Sequence, residues 1–282
     1  MFSLSVRNKY GERLELTHNP AYSITDVDGI DPPEAIINTT RNANFDGEVF
    51  NSSFLSNREI TITLVVNKPA EENRIRLYRY FKSKMPLTLF WENGERNIYI
   101  DGYVKKMQVG FFDKKQTVQI VINCPRPQLN GARPDIQEFS AVVPLFEFPF
   151  SIEEEGIPFS EVIFAQEKSI INHGDLETGV KIVVHAMGPI VKPKIYNVGT
   201  QDRMIFNITL GTGDDIIINT IQGEKNIKLR RNGVETNAIG YLDYSSSWFV
   251  MAPGDNVFTI AADSGVEYMQ VTFTMIDQYE GV

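Results

Sequence analysis

The feature that most constrains this chain is a period of two. In Ile60-Thr61-Ile62-Thr63-Leu64-Val65 apolar and polar residues alternate. A β-strand is the element that turns successive side chains to opposite faces, so this pattern makes a strand with one buried face. The same alternation returns in Val118-Gln119-Ile120-Val121-Ile122, in Asn226-Ile227-Lys228-Leu229-Arg230 and in Met269-Gln270-Val271-Thr272-Phe273-Thr274-Met275. Turn chemistry punctuates the strands at Asn93-Gly94, Asn130-Gly131, Asn232-Gly233 and Pro253-Gly254-Asp255-Asn256. The chain is therefore predicted to be mainly β.

Glu71–Lys84 departs from this. It holds no Gly or Pro and sets Leu77, Tyr78, Phe81 and Met85 on one helical stripe, with Pro69 before it and Pro86 to stop it. A single helix packed across a sheet is expected, its aromatic stripe serving as packing rather than as a ligand site.

A chain of 282 residues suits two domains, and a composition 42% hydrophobic and 22% charged gives each half enough apolar material for a core. Pro125, Pro127, Pro134 and Asn130-Gly131 crowd too many breakers together for the interior of an element. The boundary is set there, giving domains 1–134 and 135–282. A second irregular stretch, Pro144–Pro158, carries Glu153-Glu154-Glu155 and reads as a solvated linker. From Ile170 onward, short strand-like segments follow one another at the spacing of a β-sandwich.

Charge and cysteine content exclude several classes. A net charge of -9 argues against a surface that grips nucleic acid or anionic membrane. The single cysteine, Cys124, forbids an intrachain disulfide and a cysteine-rich metal site. At the end of the strand Thr117–Asn123 it reads as a small buried hydrophobe. The opening Met1-Phe2-Ser3-Leu4-Ser5-Val6-Arg7 meets charge too early for a secretory leader, and no uncharged apolar run approaches the ~18 residues of a membrane helix. Folding in a reducing cytoplasm is expected.

The search for reactive chemistry assigns no catalytic, cofactor-binding or metal-ligating residue. His18, His173 and His185 are the only histidines, and no two are spaced as a ligand pair. His185 lies in the strand-like Lys181–Ala186 and reads as a structural, hydrogen-bonded residue. Asp26-Val27-Asp28-Gly29-Ile30-Asp31 has the look of a calcium loop but lacks the third ligand, and Pro32-Pro33 breaks it; an acidic turn is expected. Gly211-Thr212-Gly213-Asp214-Asp215 leads into the strand-like Ile216–Asn219 rather than a helix, so it offers no helix terminus to a phosphate and is expected to be a hairpin turn. No G-x-S-x-G, H-E-x-x-H or phosphate-loop motif occurs, and none of the 36 acidic residues singles out a catalytic pair. The chain is expected not to be an enzyme.

The order of its motifs points to a family. Tyr22-Ser23-Ile24-Thr25-Asp26-Val27-Asp28-Gly29-Ile30 is followed by Asp46-Gly47-Glu48-Val49-Phe50, Asn57-Arg58-Glu59-Ile60-Thr61-Ile62, Tyr80-Phe81-Lys82, Met85-Pro86-Leu87-Thr88-Leu89-Phe90 and Tyr99-Ile100-Asp101-Gly102-Tyr103-Val104. The first half closes on Ile120-Val121-Ile122-Asn123-Cys124-Pro125-Arg126-Pro127. In the second half come Phe146-Glu147-Phe148-Pro149-Phe150, Asn172-His173-Gly174-Asp175, Pro193-Lys194-Ile195-Tyr196-Asn197, Gly213–Thr220, Pro253-Gly254-Asp255-Asn256 and Tyr279-Glu280-Gly281-Val282. Over nearly its whole length the chain resembles the phage distal tail proteins.

The resemblance implies an amino-terminal β-rich, ring-forming belt domain with one α-helix, and a carboxy-terminal galectin-like β-sandwich that projects outward. It implies a virion structural protein of the tail tip or baseplate, assembled in the bacterial host cytoplasm. There it would form a homo-hexameric ring joining the tail tube protein to the tail-tip hub protein and leaving a channel for DNA. Receptor-binding proteins are further expected partners, while specific nucleic-acid binding, membrane binding, cofactors and metals are not expected.

A cyclic ring needs one patch that meets a different patch on the next copy. Phe45, Phe50 and Phe54, with Phe111-Phe112 beside Lys114-Lys115, are candidates, and the same residues equally suit the first core. Two other classes compete. A carbohydrate-binding module of an adhesion device is suggested by the sandwich and by Trp248 with its neighbouring tyrosines, although Trp248 itself is expected to pack in the core. The other is a tail-associated cell-wall hydrolase.

Overall fold

The computed structural model describes residues 2–44, 46–111, 115–140, 142–144, 160–162 and 167–282. The chain divides into two compact units, Met1–Ala132 with Gln278–Val282, and Arg133–Asp277. The chain first crosses between units at Ala132–Arg133, and the return of the last five residues to the first unit has no counterpart in the sequence.

The first unit opens with β1 (Ser3–Asn8), β2 (Arg13–Glu15) and β3 (Tyr22–Asp28), followed by a hairpin of β4 (Ala35–Arg41) and β5 (Glu48–Leu55). It continues with β6 (Arg58–Val66), α1 (Ala70–Tyr80), β7 (Pro86–Glu92), β8 (Asn97–Val109), β9 (Thr117–Cys124) and β10 (Leu129–Gly131). One sheet runs in the order β2-β1-β7-β8-β9-β6-β3. The alternating sequence of β6 sets its register on β9, so that Ile60 meets Ile122, Ile62 meets Ile120 and Leu64 meets Val118, all buried. At the adjoining position of β8 a side chain would collide: a Cβ on Gly102 would lie 2.6 Å from the Ile122 side chain and 2.8 Å from Cys124 Sγ.

Helix α1 seals this core through Leu77, which is fully buried, and through Phe81 just beyond its end. The helix is shorter than the predicted Glu71–Lys84. Phe81 already has non-helical backbone, and Lys84 sits in the left-handed region as the chain turns into β7. Met85 is thus buried from outside the helix, and Tyr78, one residue round from Leu77, faces solvent.

The second unit contains β11 (Asp135–Ser140), β12 (Val142–Pro144), β13 (Ser160–Val162), β14 (Glu167–Asn172), β15 (Val180–Ala186), β16 (Ile190–Val191) and β17 (Lys194–Asn197). It continues through β18 (Arg203–Ile205), β19 (Thr209–Leu210), β20 (Asp215–Asn219), β21 (Asn226–Arg231), β22 (Val234–Asn237), β23 (Gly254–Ala261) and β24 (Met269–Met275). A six-stranded sheet, β11-β24-β15-β20-β21-β22, and a four-stranded sheet, β14-β23-β17-β18, share one core containing Ile182, Val184, Phe258 and Phe273. This is a β-sandwich, so the mainly β expectation is met, with one α-helix among the described residues.

The last strand, β25 (Gln278–Tyr279), belongs to the first unit, where it pairs antiparallel with β10. Asn130-Gly131, expected to be a turn, is therefore a strand held between β8 and β25. The acidic run Glu153–Glu155 lies outside the described residues.

Candidate assembly interface

The β4–β5 hairpin is an arm with no core beneath it. It forms its own two-stranded sheet, and every residue of β4 is exposed. Strands ordinarily bury one face; here apolar side chains stand exposed on both. Ile37 and Phe50, each 62% exposed, occupy one face, and Ile36 and Phe54 are cross-strand partners on the other. A bulge at Asn51 lets the pairing shift from Asn38–Ser52 to Thr39–Phe50, and the Asn51 amide donates to Thr40 Oγ1 at 2.6 Å. Isolated two-stranded hairpins are marginal in water, so an arm of this composition calls for a partner surface.

Of the aromatic candidates, Phe50 and Phe54 sit on this arm and take no part in the first core, whereas Phe45 lies outside the described residues. Phe111 is exposed beside the helix, with the Arg74 guanidinium 5.2 Å from its ring centre and 5.2 Å from that of Tyr78. Phe112 and Lys114 lie outside the described residues. The arm escaped the sequence reading as an element because it lacks the period of two; its only signal was the density of apolar residues in a segment rich in Asn, Ser and Thr.

The arm is rooted on a buried cation. Arg58, only 3% exposed, donates from Nη1 to the carbonyls of Gly29 (3.0 Å) and Asp31 (2.9 Å), from Nε to that of Pro127 (2.6 Å) and from Nη2 to that of Glu280 (2.6 Å). Burial lowers its pKa, while Cys124, Glu280 and Asp31 oppose that shift. The expected acidic turn is shorter than Asp26–Asp31: Asp26, Val27 and Asp28 end β3, paired with Thr63, Ile62 and Thr61, and the chain turns only at Gly29, in the left-handed region, where a Cβ would lie 2.1 Å from the Glu59 carbonyl. Cys124 is fully buried, and burial pushes its thiol up to about 12, an inert group rather than a nucleophile.

The remaining sequence candidates take structural positions. His185 Nδ1 lies 2.6 Å from Asp215 Oδ1, beside Arg230. His173 donates its backbone N–H to Asp277. Among the described residues no three His, Cys, Asp or Glu side chains gather as a metal site. Gly211–Asp215 is a turn that links β19 to β20 of a different sheet, not a hairpin. There the Asp214 carboxylate accepts from Gly211 N and from Arg231 Nε and Nη2, which holds its pKa below the usual value. Trp248, expected in the core, is only partly buried against it, with Lys225 Nζ 5.6 Å from its ring centre.

Comparison with known proteins gives this geometry a context. Residues 173–276 match the siphovirus-type tail component, C-terminal domain. No curated protein matches the chain in sequence. Among solved structures, the Dit protein of phage SPP1, described as a paradigm of the hub adsorption apparatus in phages infecting Gram-positive bacteria, shares the fold. It has a TM-score of 0.66 and 13% identity over 99% of each chain. A chain of the phage P2 baseplate in its activated conformation with calcium aligns over 100% of both chains, with a TM-score of 0.53 and 10% identity. Residues 173–276 therefore carry the carboxy-terminal domain of the siphovirus-type tail components, and the chain as a whole shares the fold of the SPP1 Dit protein.

Proposed function

We propose that this protein builds a closed ring at the phage tail tip, with six copies joining the tail tube to the tail-tip hub and leaving a channel for DNA. The observation that carries the reading is the arm, whose two apolar faces are uncovered within one chain. A patch that no surface of its own copy covers suits the heterologous contact from which cyclic assemblies are made. The fold likeness to the SPP1 hub protein and to a baseplate chain supports the same reading. In this reading the first unit is the belt of the ring and the sandwich is its outward, galectin-like projection. The protein's work is then assembly in the host cytoplasm and service in the virion tail, not catalysis.

Native mass measurement tests this directly. Hexamers or stacked hexamers are expected, alone or with tail-tube or hub protein present. A chain that stays monomeric alone and with both partners overturns the reading.

A further inference from the structure

The first unit is electrically two-ended although the chain as a whole is acidic. Around α1 stand Lys68, Arg74, Arg76, Arg79, Lys82 and Lys84, opposed only by Glu71 and Glu72. All but Arg74 of these cations are exposed. At the arm and its root stand Asp28, Asp31, Glu34, Asp46 and Glu48, all exposed, with Arg41 the cation of the hairpin strands.

Strand register places these groups apart. Tyr22 pairs with Val66 at the end where the chain proceeds to α1, and Asp28 pairs with Thr61 near the end where the arm departs. The 9 residues of β6 separate the two ends by roughly 30 Å. That exceeds the Debye length of ~8 Å at physiological salt several times over, so the poles do not neutralise each other within one copy.

Each pole also carries exposed apolar groups. The basic pole has Ile75, Tyr78 and Phe111, with Arg74 fixed between the two aromatic rings by its ion pair to Glu71. The acidic pole has Ile37, Phe50 and Phe54. Aromatic residues and Arg are the side chains that dominate interface energetics, and opposite charge sets the orientation of docking.

We propose that the arm of one copy docks on the exposed face of α1 in the next copy, with Phe50 and Phe54 meeting the Tyr78–Arg74–Phe111 stack. This rests on the self-assembly reading and names its two surfaces. The contact is heterologous: every copy offers one arm and one helix face, so each interface repeats around a ring and leaves no arm uncovered.

Cross-linking between copies tests it. Cys124 is the only cysteine and is buried, so an introduced surface thiol is the reactive one. Phe50→Cys and Tyr78→Cys proteins, purified separately and mixed under conditions where the wild type assembles, are treated with a short bismaleimide. Covalent dimers are expected from the mixture and not from either variant alone. Dimers from Phe50→Cys alone, or none from a mixture that still assembles by native mass, overturn the proposal while sparing the ring. A wild type that never assembles overturns both. In parallel, Arg76→Glu with Arg79→Glu should weaken association by about tenfold or more, and Glu34→Lys with Glu48→Lys should restore it. These exposed changes should leave the melting temperature of the unassembled chain unchanged. Association untouched by the double reversal counts against the helix face.

Discussion

The guanidinium of Arg58 donates to the main-chain carbonyl of Glu280 at 2.6 Å, although 222 positions separate them in sequence. The same side chain binds the carbonyls of Gly29, Asp31 and Pro127, so one cation ties the arm's root, the segment after β9 and the carboxy-terminal strand together. Arg58→Met leaves those four acceptors without their donor and should cost the first unit about 3–5 kcal/mol. Arg58→Lys should rescue little, since an ammonium cannot reproduce the fork. Deleting residues 278–282 removes the Glu280 acceptor and that of Gly281, which takes a bond from Arg96. Hydrogen exchange should report loosened β6, β9 and β10 with unchanged protection in the sandwich.

Alkaline pH should destabilise the first unit through Cys124. Its thiol pKa rises from an ordinary 9.0 to about 12 in the fold, chiefly because burial disfavours the thiolate. The folded state therefore holds its proton where the unfolded state has lost it. This contribution is complete below pH 9 and fades as pH rises toward 12, by about 4 kcal/mol in total. Denaturant titrations across that range should show the slope in the wild type and a flatter one in Cys124→Ala.

Phe50→Ser with Phe54→Ser should separate folding from assembly. Both rings are exposed, so unfolding of the unassembled chain should change by no more than about 0.5 kcal/mol. Sedimentation should nevertheless show lost association. A large drop in melting temperature would mean the rings belong to a core.

The acid limb should involve Asp214 in the second unit. Its carboxylate, 5% exposed, is held ionised first by Arg231 and also by the Gly211 amide. The lowered pKa means the contribution is present above the ordinary 3.8 and is lost as pH falls through the folded value. Asp214→Asn should cost about 1–2 kcal/mol at neutral pH, limited because Arg231 is half-exposed. The difference from wild type should shrink in acid, as calorimetry at several pH values can show.

What could be read from sequence follows from what burial leaves behind. β6, β9, β21 and β24 were legible because one face of each meets a core and the other does not. The arm was not, because both its faces are exposed and no alternation marks Ala35-Ile36-Ile37-Asn38. Asn130-Gly131 misled because its turn chemistry is local, whereas its pairing with β8 and β25 is set by partners far along the chain. The Arg58 clamp was invisible for a plainer reason: its acceptors are main-chain carbonyls, which every residue possesses. Of the aromatic residues that suited either the first core or an interface, Phe50, Phe54 and Phe111 stand exposed, outside the core.

Leu129 pairs with Tyr279 and Asn130 with Gln278, so the chain leaves the first unit and returns to it on neighbouring strands. The sandwich is in effect an insertion at a single site, both of its ends emerging side by side. Such a module can be exchanged as a cassette: joining Gly131 to Gln278 through a short turn leaves the host sheet's strand order intact. The same geometry sets a mechanical response. Just inside the sandwich Asp135 pairs with Met275, so a pull through it loads β10 and β25 together in one direction rather than prising one from the other.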